Sequence, residues 1–396
     1  MMNSRKAYLA LGMATLAFAV SFAAWSLLSP LAPQLQKQYQ INDFWISVVI
    51  AVPVILGSLA RIPMGIFTDR FGGRRMMTGL LLFSIIPLLG MTTAANLVSF
   101  LIWGFLLGVV GSSFAVGVPY VSRWFTPERQ GLVVGVFGIG NIGTAFSARF
   151  APQIAQTMGN WQPVFFIFAG IVLVTAIAFY LLAGEEARST GPAKTIGQQL
   201  AVLRRERLVW LFSLFYFVTF GGFVAFSLYL PKLLVDNFGL DKLDAGNRAA
   251  GFVVLATLAR PVGGWLADRI GGANILFVVF AITPVMALIL ALQPGIIILT
   301  ICFLVLAILL GLGNGAVFKL VPQHFAKEAG TVTGLVGAAG GLGGFFPPIV
   351  MGLVKTTLGS YALGYILLAA VAVGCLVLAL LVLRPSCSKA EPALRR

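Results

Sequence analysis

The sequence predicts an all-α protein that crosses a membrane twelve times, built as two pseudo-symmetric six-helix halves with both termini in the cytoplasm. Three observations carry this. Hydrophobic residues make up 59% of the chain and charged residues only 10%, with a mean hydropathy of +0.98, whereas a soluble domain carries about 25% charged residues. Apolar runs long enough for a hydrocarbon core of about 30 Å follow one another along the whole chain. And the stretch SLARIPMGIFTDRFGG, Ser58 to Gly73, returns as TLARPVGGWLADRIGG, Thr257 to Gly272, 199 residues later in a chain of 396.

The runs predict spans over 8–33, 44–67, 76–95, 97–121, 130–154 and 162–184, then 208–233, 246–267, 274–292, 295–322, 329–354 and 361–383. Few Pro or Asn interrupt them, which favours helices over barrel strands, since in lipid each backbone polar group needs an internal partner. Arg5 and Lys6 precede span 1, but its apolar run passes twenty residues without a clear small-residue cleavage site, so it is read as a span and not as a signal peptide.

Orientation follows from Lys and Arg. Eighteen lie in one set of connections and termini, among them Arg70, Arg74, Arg75, Arg123, Arg204, Arg205, Arg207, Arg269 and Lys327. The other set holds only Lys37, Lys232, Lys242, Arg248 and Lys355. The richer side is cytoplasmic. The same placement accounts for the net charge of +15 without nucleic acid. The polar stretch 185–207 divides the chain into halves 1–184 and 208–396, and its basic residues suit an anionic lipid surface. Cys302, Cys375 and Cys387 form no CxxC, and His324 is the single histidine, so neither a disulfide framework nor a metal site is expected.

The repeat selects the residues that carry function. Leu59, Ala60, Arg61, Gly65, Asp69, Arg70, Gly72 and Gly73 recur as Leu258, Ala259, Arg260, Gly264, Asp268, Arg269, Gly271 and Gly272. Each arginine sits eight residues before its aspartate, which is about 12 Å along a helix and near the bilayer midplane. A guanidinium there carries a penalty of about 2.5–3.5 kcal/mol on insertion scales. Two of them about 8 Å apart repel by about 2 kcal/mol at an effective dielectric near 20. All twelve acidic residues lie in connections or at span ends, so no central carboxylate offsets the pair. A bound anion would, and guanidinium suits a planar oxyanion through paired N–H donors. The bland alternative is that each arginine bonds backbone carbonyls.

Glycines recur as well. Gly131, Gly135 and Gly138 of span 5 match Gly330, Gly334 and Gly337 of span 11. Such stripes are expected to let neighbouring backbones approach closely. Asn141, in the same stretch, offers a buried amide donor. Asp69 and Asp268, at cytoplasmic turns, are gate-latch candidates. Lys319 in span 10 has no acidic neighbour in its helix; it reads as a third anion-attracting charge, as a titrating cation that couples transport, or as a side chain snorkelling to the membrane edge.

GIFTDRFGGRR, Gly65 to Arg75, resembles the loop signature between helices 2 and 3 of the major facilitator superfamily. GLVVGVFGIGNIG, Gly131 to Gly143, and GTVTGLVGAAGGLGG, Gly330 to Gly344, resemble the paired nitrate-signature motifs of its nitrate/nitrite porter family. FAVGVPYVSRWF and GLGNGAVFKLVPQHF add to that resemblance, which covers nearly the whole chain. It implies that Arg61 and Arg260 clamp the anion, that Phe114, Tyr216 and Phe220 enclose it, and that Asn141 is the signature asparagine. The implied function is nitrate transport across the cell inner membrane by rocking of two halves, as proton-coupled uptake by a monomer. Nitrate/nitrite exchange is the close alternative. A non-transporting anion receptor and a drug-efflux carrier are the alternatives of other classes. An enzyme is disfavoured: no nucleophile–base pair, metal cluster or nucleotide loop is present, no cofactor is implied, and GIGNIG lacks the preceding strand of a dinucleotide fingerprint.

Overall fold

A computed structural model describes residues 4–126, 130–185, 206–325 and 329–383. Among these, regular structure is helical throughout. In chain order the helices are α1 (Ser4–Trp25), α2 (Leu28–Tyr39), α3 (Asp43–Leu59), α4 (Arg61–Phe71), α5 (Gly73–Met91), α6 (Leu97–Leu107), α7 (Ser113–Ser122), α8 (Gln130–Gly138), α9 (Gly143–Thr157) and α10 (Gln162–Leu182). The second half holds α11 (Arg207–Phe238), α12 (Lys242–Ile270), α13 (Gly272–Ala291), α14 (Ile296–His324), α15 (Ala329–Gly343), α16 (Phe346–Leu358) and α17 (Ala362–Leu383). Among the described residues eleven helical segments are long and apolar enough to cross a membrane, and the predicted second span is the consecutive pair α3 and α4. Residues 186–205, the core of the predicted linker, lie outside the described residues.

Several spans are broken where the sequence reading drew one continuous helix. Span 1 turns at Ser26 and Leu27, and span 2 at Ala60. Span 4 tightens to a 3-10 turn over Gly108–Ser112 and span 5 over Ile139–Ile142; span 11 breaks at Gly344 and Phe345. Pro63 has no N–H for the Leu59 carbonyl, and Pro347 opens α16, so two of these breaks follow from missing donors. At Gly108 a Cβ would strike the Pro53 carbonyl of span 2, so that break sits where two backbones touch.

The span ends follow local chemistry. Asn42 caps α3 by accepting from the Trp45 N–H at 2.9 Å, and Asn96 forms a capping box with Ser99 at the start of α6. The duplicated turn has a clear cause. Gly72 and Gly271 both have φ of 88°, which an L side chain rarely adopts. The next glycine, Gly73 or Gly272, lies where a Cβ would collide with Tyr120 or Leu320 of span 4 or span 10. Each glycine pair thus makes a sharp turn and then a close helix contact, and both properties recur at an offset of 199 residues.

The halves meet at the end opposite these turns, which the charge asymmetry assigns to the outside. Ser29 donates to the Leu228 carbonyl, Ser47 pairs with Tyr229 at 3.1 Å, and Gly352 and Gly246 nestle against Ser47 and the Ala148 carbonyl. In their midst Lys232 bonds Asp43 of the first half at 2.9 Å and Asp236 of its own helix, while Tyr361 donates to Asp236 at 2.9 Å and Gln36 to Asp43 at 2.7 Å. By its position at the end of span 208–233, Lys232 counts with the basic residues of the outer connections. Its side chain is 0% exposed. The outer end is therefore closed by a buried ion cluster shared between the halves.

Candidate anion site between the halves

The site lies where span 2 and span 8 face each other across the pseudo-symmetry axis. Arg61 opens α4 directly after the Ala60 break and is 8% exposed. Its Nη1 donates to the Gly337 carbonyl of the opposite half at 2.5 Å, and its Nε, sealed from solvent, has no partner. Arg260, half-buried in α12, donates from Nη2 to the Tyr216 hydroxyl at 3.1 Å. Neither guanidinium has a carboxylate partner among the described residues. Both approach one ring: Phe220 lies 5.5 Å from Arg61 Cζ and 5.8 Å from Arg260 Cζ. The carbonyl-bonding alternative is thus realised for one N–H of Arg61, and the remaining donors stay open.

The aromatic residues are positioned by helical spacing. Tyr216 and Phe220, one turn apart in α11, stack with centroids 4.9 Å apart and planes within 5°. Phe114 reaches Arg260 from span 4 of the other half, with its centroid 5.8 Å from Cζ. A fourth ring, Phe318 of α14, lies 5.4 Å from Arg260 Cζ and meets Tyr216 edge-on at 4.7 Å. The sequence reading passed over Phe318 in favour of its neighbour Lys319. A guanidinium over aromatic faces is held by the ring quadrupole, worth about 2 kcal/mol or more when desolvated.

Asn141 is 2% exposed and sits in the 3-10 turn of span 5. Its Nδ2 donates to the Gly138 carbonyl at 2.7 Å and its Oδ1 has no partner. One of its two donor hydrogens is therefore engaged within its own turn.

The glycines divide differently from the expected stripe. A Cβ at Gly135, Gly138, Gly334 or Gly337 would meet nothing within 4 Å. Gly138 and Gly337 are nonetheless buried, so they border internal space. Close packing falls on the next turn of each motif. Gly140 meets Phe18, Gly143 the Ala19 carbonyl, Gly340 the Tyr216 ring, and Gly341 both Ser58 and Arg61, whose Cζ is 3.2 Å from the Cβ position. These contacts fall within and just after the 3-10 turn of span 5 and in the last turn of α15 in span 11, where the helices converge, whereas the turns before them stand clear of their neighbours.

Lys319 does not join the arginines. It forms an ion pair with Asp268, and the two side chains are 36% and 54% exposed. Asp268 is thereby tied to span 10 of its own half and not across the halves. The Asp69 side chain lies outside the described residues. Among the described residues no group of His, Cys, Asp and Glu could hold a metal ion.

Comparisons with known proteins agree with this architecture. The family model described as Major Facilitator Superfamily matches residues 14–348 and again 230–396. The chain is 40% identical to the "Nitrite extrusion protein" of Bacillus subtilis, covering 94% of this chain and 93% of that one. It is 39% identical to the "Probable nitrate transporter NarT" of Staphylococcus epidermidis, covering 93% and 94%. It is 40% identical to the "Probable nitrate/nitrite transporter NarK2" of Mycobacterium tuberculosis, covering 91% and 92%. The fold is also that of a bacterial homologue of the human lysosomal transporter Spinster, solved in an inward-facing and unoccupied conformation, at TM-score 0.71 and 16% identity over 95% and 96% of the two chains. These relatives are transporters, not enzymes. The chain belongs to the major facilitator superfamily, within the family that holds these nitrate and nitrite transporters.

Proposed function

We propose that this protein carries nitrate across the cell inner membrane by alternating access, and that uptake is coupled to protons. One observation supports the substrate class above all others. Two guanidiniums, one from each half, approach the same Phe220 ring with no carboxylate partner among the described residues. Such a site attracts a small anion and repels cations. The aromatic walls exclude water and suit a planar, weakly hydrated oxyanion, and the names of the relatives extend the choice to nitrite. In this reading the halves 1–184 and 208–396, joined by 185–207, rock about the site. The protein works as a monomer, with lipid around it.

Flux into proteoliposomes with an imposed proton gradient and no internal anion tests the reading. Gradient-driven nitrate accumulation supports symport. Flux that needs nitrite loaded inside establishes exchange, the second reading, which the name of the Bacillus relative favours. Absence of flux for both anions under every loading rejects the substrate.

Lys319 is the candidate for coupling, because it is a part-exposed ammonium on the inner side of the site, next in sequence to Phe318, whose partner, Asp268, can be exchanged as the inner end opens and closes. In Lys319→Met, proton-driven accumulation is expected to fall at least about tenfold while exchange of labelled for unlabelled nitrate persists. A variant that accumulates nitrate with the wild-type pH profile removes the lysine from the mechanism.

A further inference from the structure

Asn314 lies in α14, one turn before Phe318, and it has been given no role so far. It is 3% exposed, and its Oδ1 has no hydrogen-bond partner. Buried amides are normally satisfied, so this acceptor calls for a donor that the resting arrangement does not supply.

Its neighbours fix where it points. At Gly313 a Cβ would meet Thr219 of α11, and at Gly315 it would meet the Arg260 carbonyl and the Gly264 nitrogen of α12. Successive residues of a helix are about 100° apart. Asn314 therefore bisects the two faces and enters the wedge between α11 and α12. That wedge holds Tyr216, Phe220 and Arg260. The depth agrees from both sides, since the residues flanking Asn314 touch α11 at Thr219, next to Phe220, and α12 at Arg260 itself. Phe318, four residues on and so on the same face, lies against Arg260 and Tyr216.

We propose that Asn314 is an anion ligand supplied by the second half. Its Nδ2–H donates to an oxygen of the bound oxyanion, and its Oδ1 accepts from a free N–H of Arg260, whose Nη2 already holds Tyr216. Together with Asn141, which comes from span 5 of the first half and not from the position equivalent to Asn314, this gives each half one guanidinium and one amide. The proposal rests on the reading that this site binds nitrate or nitrite. It adds a specificity determinant: the amide fixes the position of one anion oxygen, so its loss acts unequally on a three-oxygen and a two-oxygen anion.

The test uses the full-length protein with Asn314→Leu, which keeps size and removes the amide, and with Asn314→Asp, which sets a carboxylate beside Arg260. Nitrate and nitrite binding to purified protein and uptake into proteoliposomes are measured together, with thermal unfolding as the check on folding. Losing one hydrogen bond to a charged group corresponds to roughly a ten- to hundredfold change. Asn314→Leu is expected to raise KM for nitrate by about that factor, to alter Vmax far less, and to shift the nitrate-to-nitrite preference, which a merely structural residue would leave alone. Asn314→Asp is expected to fold and to lose nitrate binding, because its carboxylate occupies the donors of Arg260. A KM and a preference within about twofold of wild type in Asn314→Leu overturn the proposal. If that variant does not fold, wild-type nitrate affinity in Asn314→Asp overturns it. Wild-type protein that binds neither anion brings down the functional reading together with the ligand; wild-type binding with unaffected variants removes Asn314 alone.

Discussion

Arg61→Lys is expected to lower nitrate uptake (Vmax/KM) by about a hundredfold or more, with thermal stability close to wild type. Donor geometry is the reason. Arg61 spends Nη1 on the Gly337 carbonyl and keeps further N–H groups for a ligand, with the face of Phe220 beside the guanidinium. An ammonium has the charge but not the fork, and it cannot bond the carbonyl and brace a planar anion at two points. Hydrogen bonds to charged groups contribute about 1.5–3 kcal/mol each, so the loss of two corresponds to roughly two to four orders of magnitude. Arg260→Lys should behave alike and also loosen Tyr216, which Arg260 holds at 3.1 Å. Uptake of labelled nitrate by proteoliposomes measures this. Activity within about threefold of wild type in both variants would mean that the arginines supply charge alone.

The second large effect is at the outer end. Lys232→Met removes the cation that bonds both Asp43 and Asp236 and leaves two part-buried carboxylates facing each other across the halves. Breaking a buried ion pair from one side is destabilising by about 3–5 kcal/mol. Here much of that acts on the contact between the halves, so the closed outer end opens. Asp43→Asn should be milder, because Lys232 keeps Asp236 as its partner. The double variant Asp43→Lys with Lys232→Asp restores one ammonium between two carboxylates and should largely reverse the effect. Ser29, whose hydroxyl bonds the Leu228 carbonyl across the halves, provides the reporter. In a background without the native cysteines, Ser29→Cys should react with a membrane-impermeant thiol reagent from outside at least about tenfold faster when Lys232→Met is added. An unchanged rate would show that the cluster does not hold the outer end shut.

Much of this architecture was legible in the sequence because lipid leaves a segment few choices. Most spans are long apolar runs, and the duplicated Arg61 and Arg260 stand out in such runs because charge is costly there. Tyr216 and Phe220 were legible through the family resemblance, and their spacing of one helical turn puts them on a common face. The breaks were not legible in the same way. Gly108 gives no local sign of one, since its reason is the Pro53 carbonyl of another span, although Pro63 and Pro347 were signals left unused. Lys232, at the end of span 208–233, counts in the sequence with the outer connections, because a lysine near the end of a run reads as a boundary. What buries it is Asp43, which the fold brings from 189 residues away. Asn314 and Phe318 were hidden for the opposite reason. In a span apolar on all sides, the 3.6-residue period carries no signal, and only the helices packed against it reveal which face turns inward. The tie between Lys319 and Asp268 likewise joins two spans and leaves no trace within either one.

The two guanidiniums without carboxylate partners have an electrical consequence. A charge crossing the whole membrane potential exchanges about 2.3 kcal/mol per 100 mV. In alternating access the barrier moves around the site, so a site open to the inside has in effect carried its own charge through the field. Empty, that charge is two units; with nitrate aboard it is one. An inside-negative potential therefore opposes the return of the empty site to the outside by up to about 4.6 kcal/mol per 100 mV, and the return of the loaded site by half as much. Trading one anion for another avoids the empty return altogether. The polarised membrane itself would then slow net uptake at its return step and leave exchange comparatively fast, even in a carrier whose binding site is the same for both.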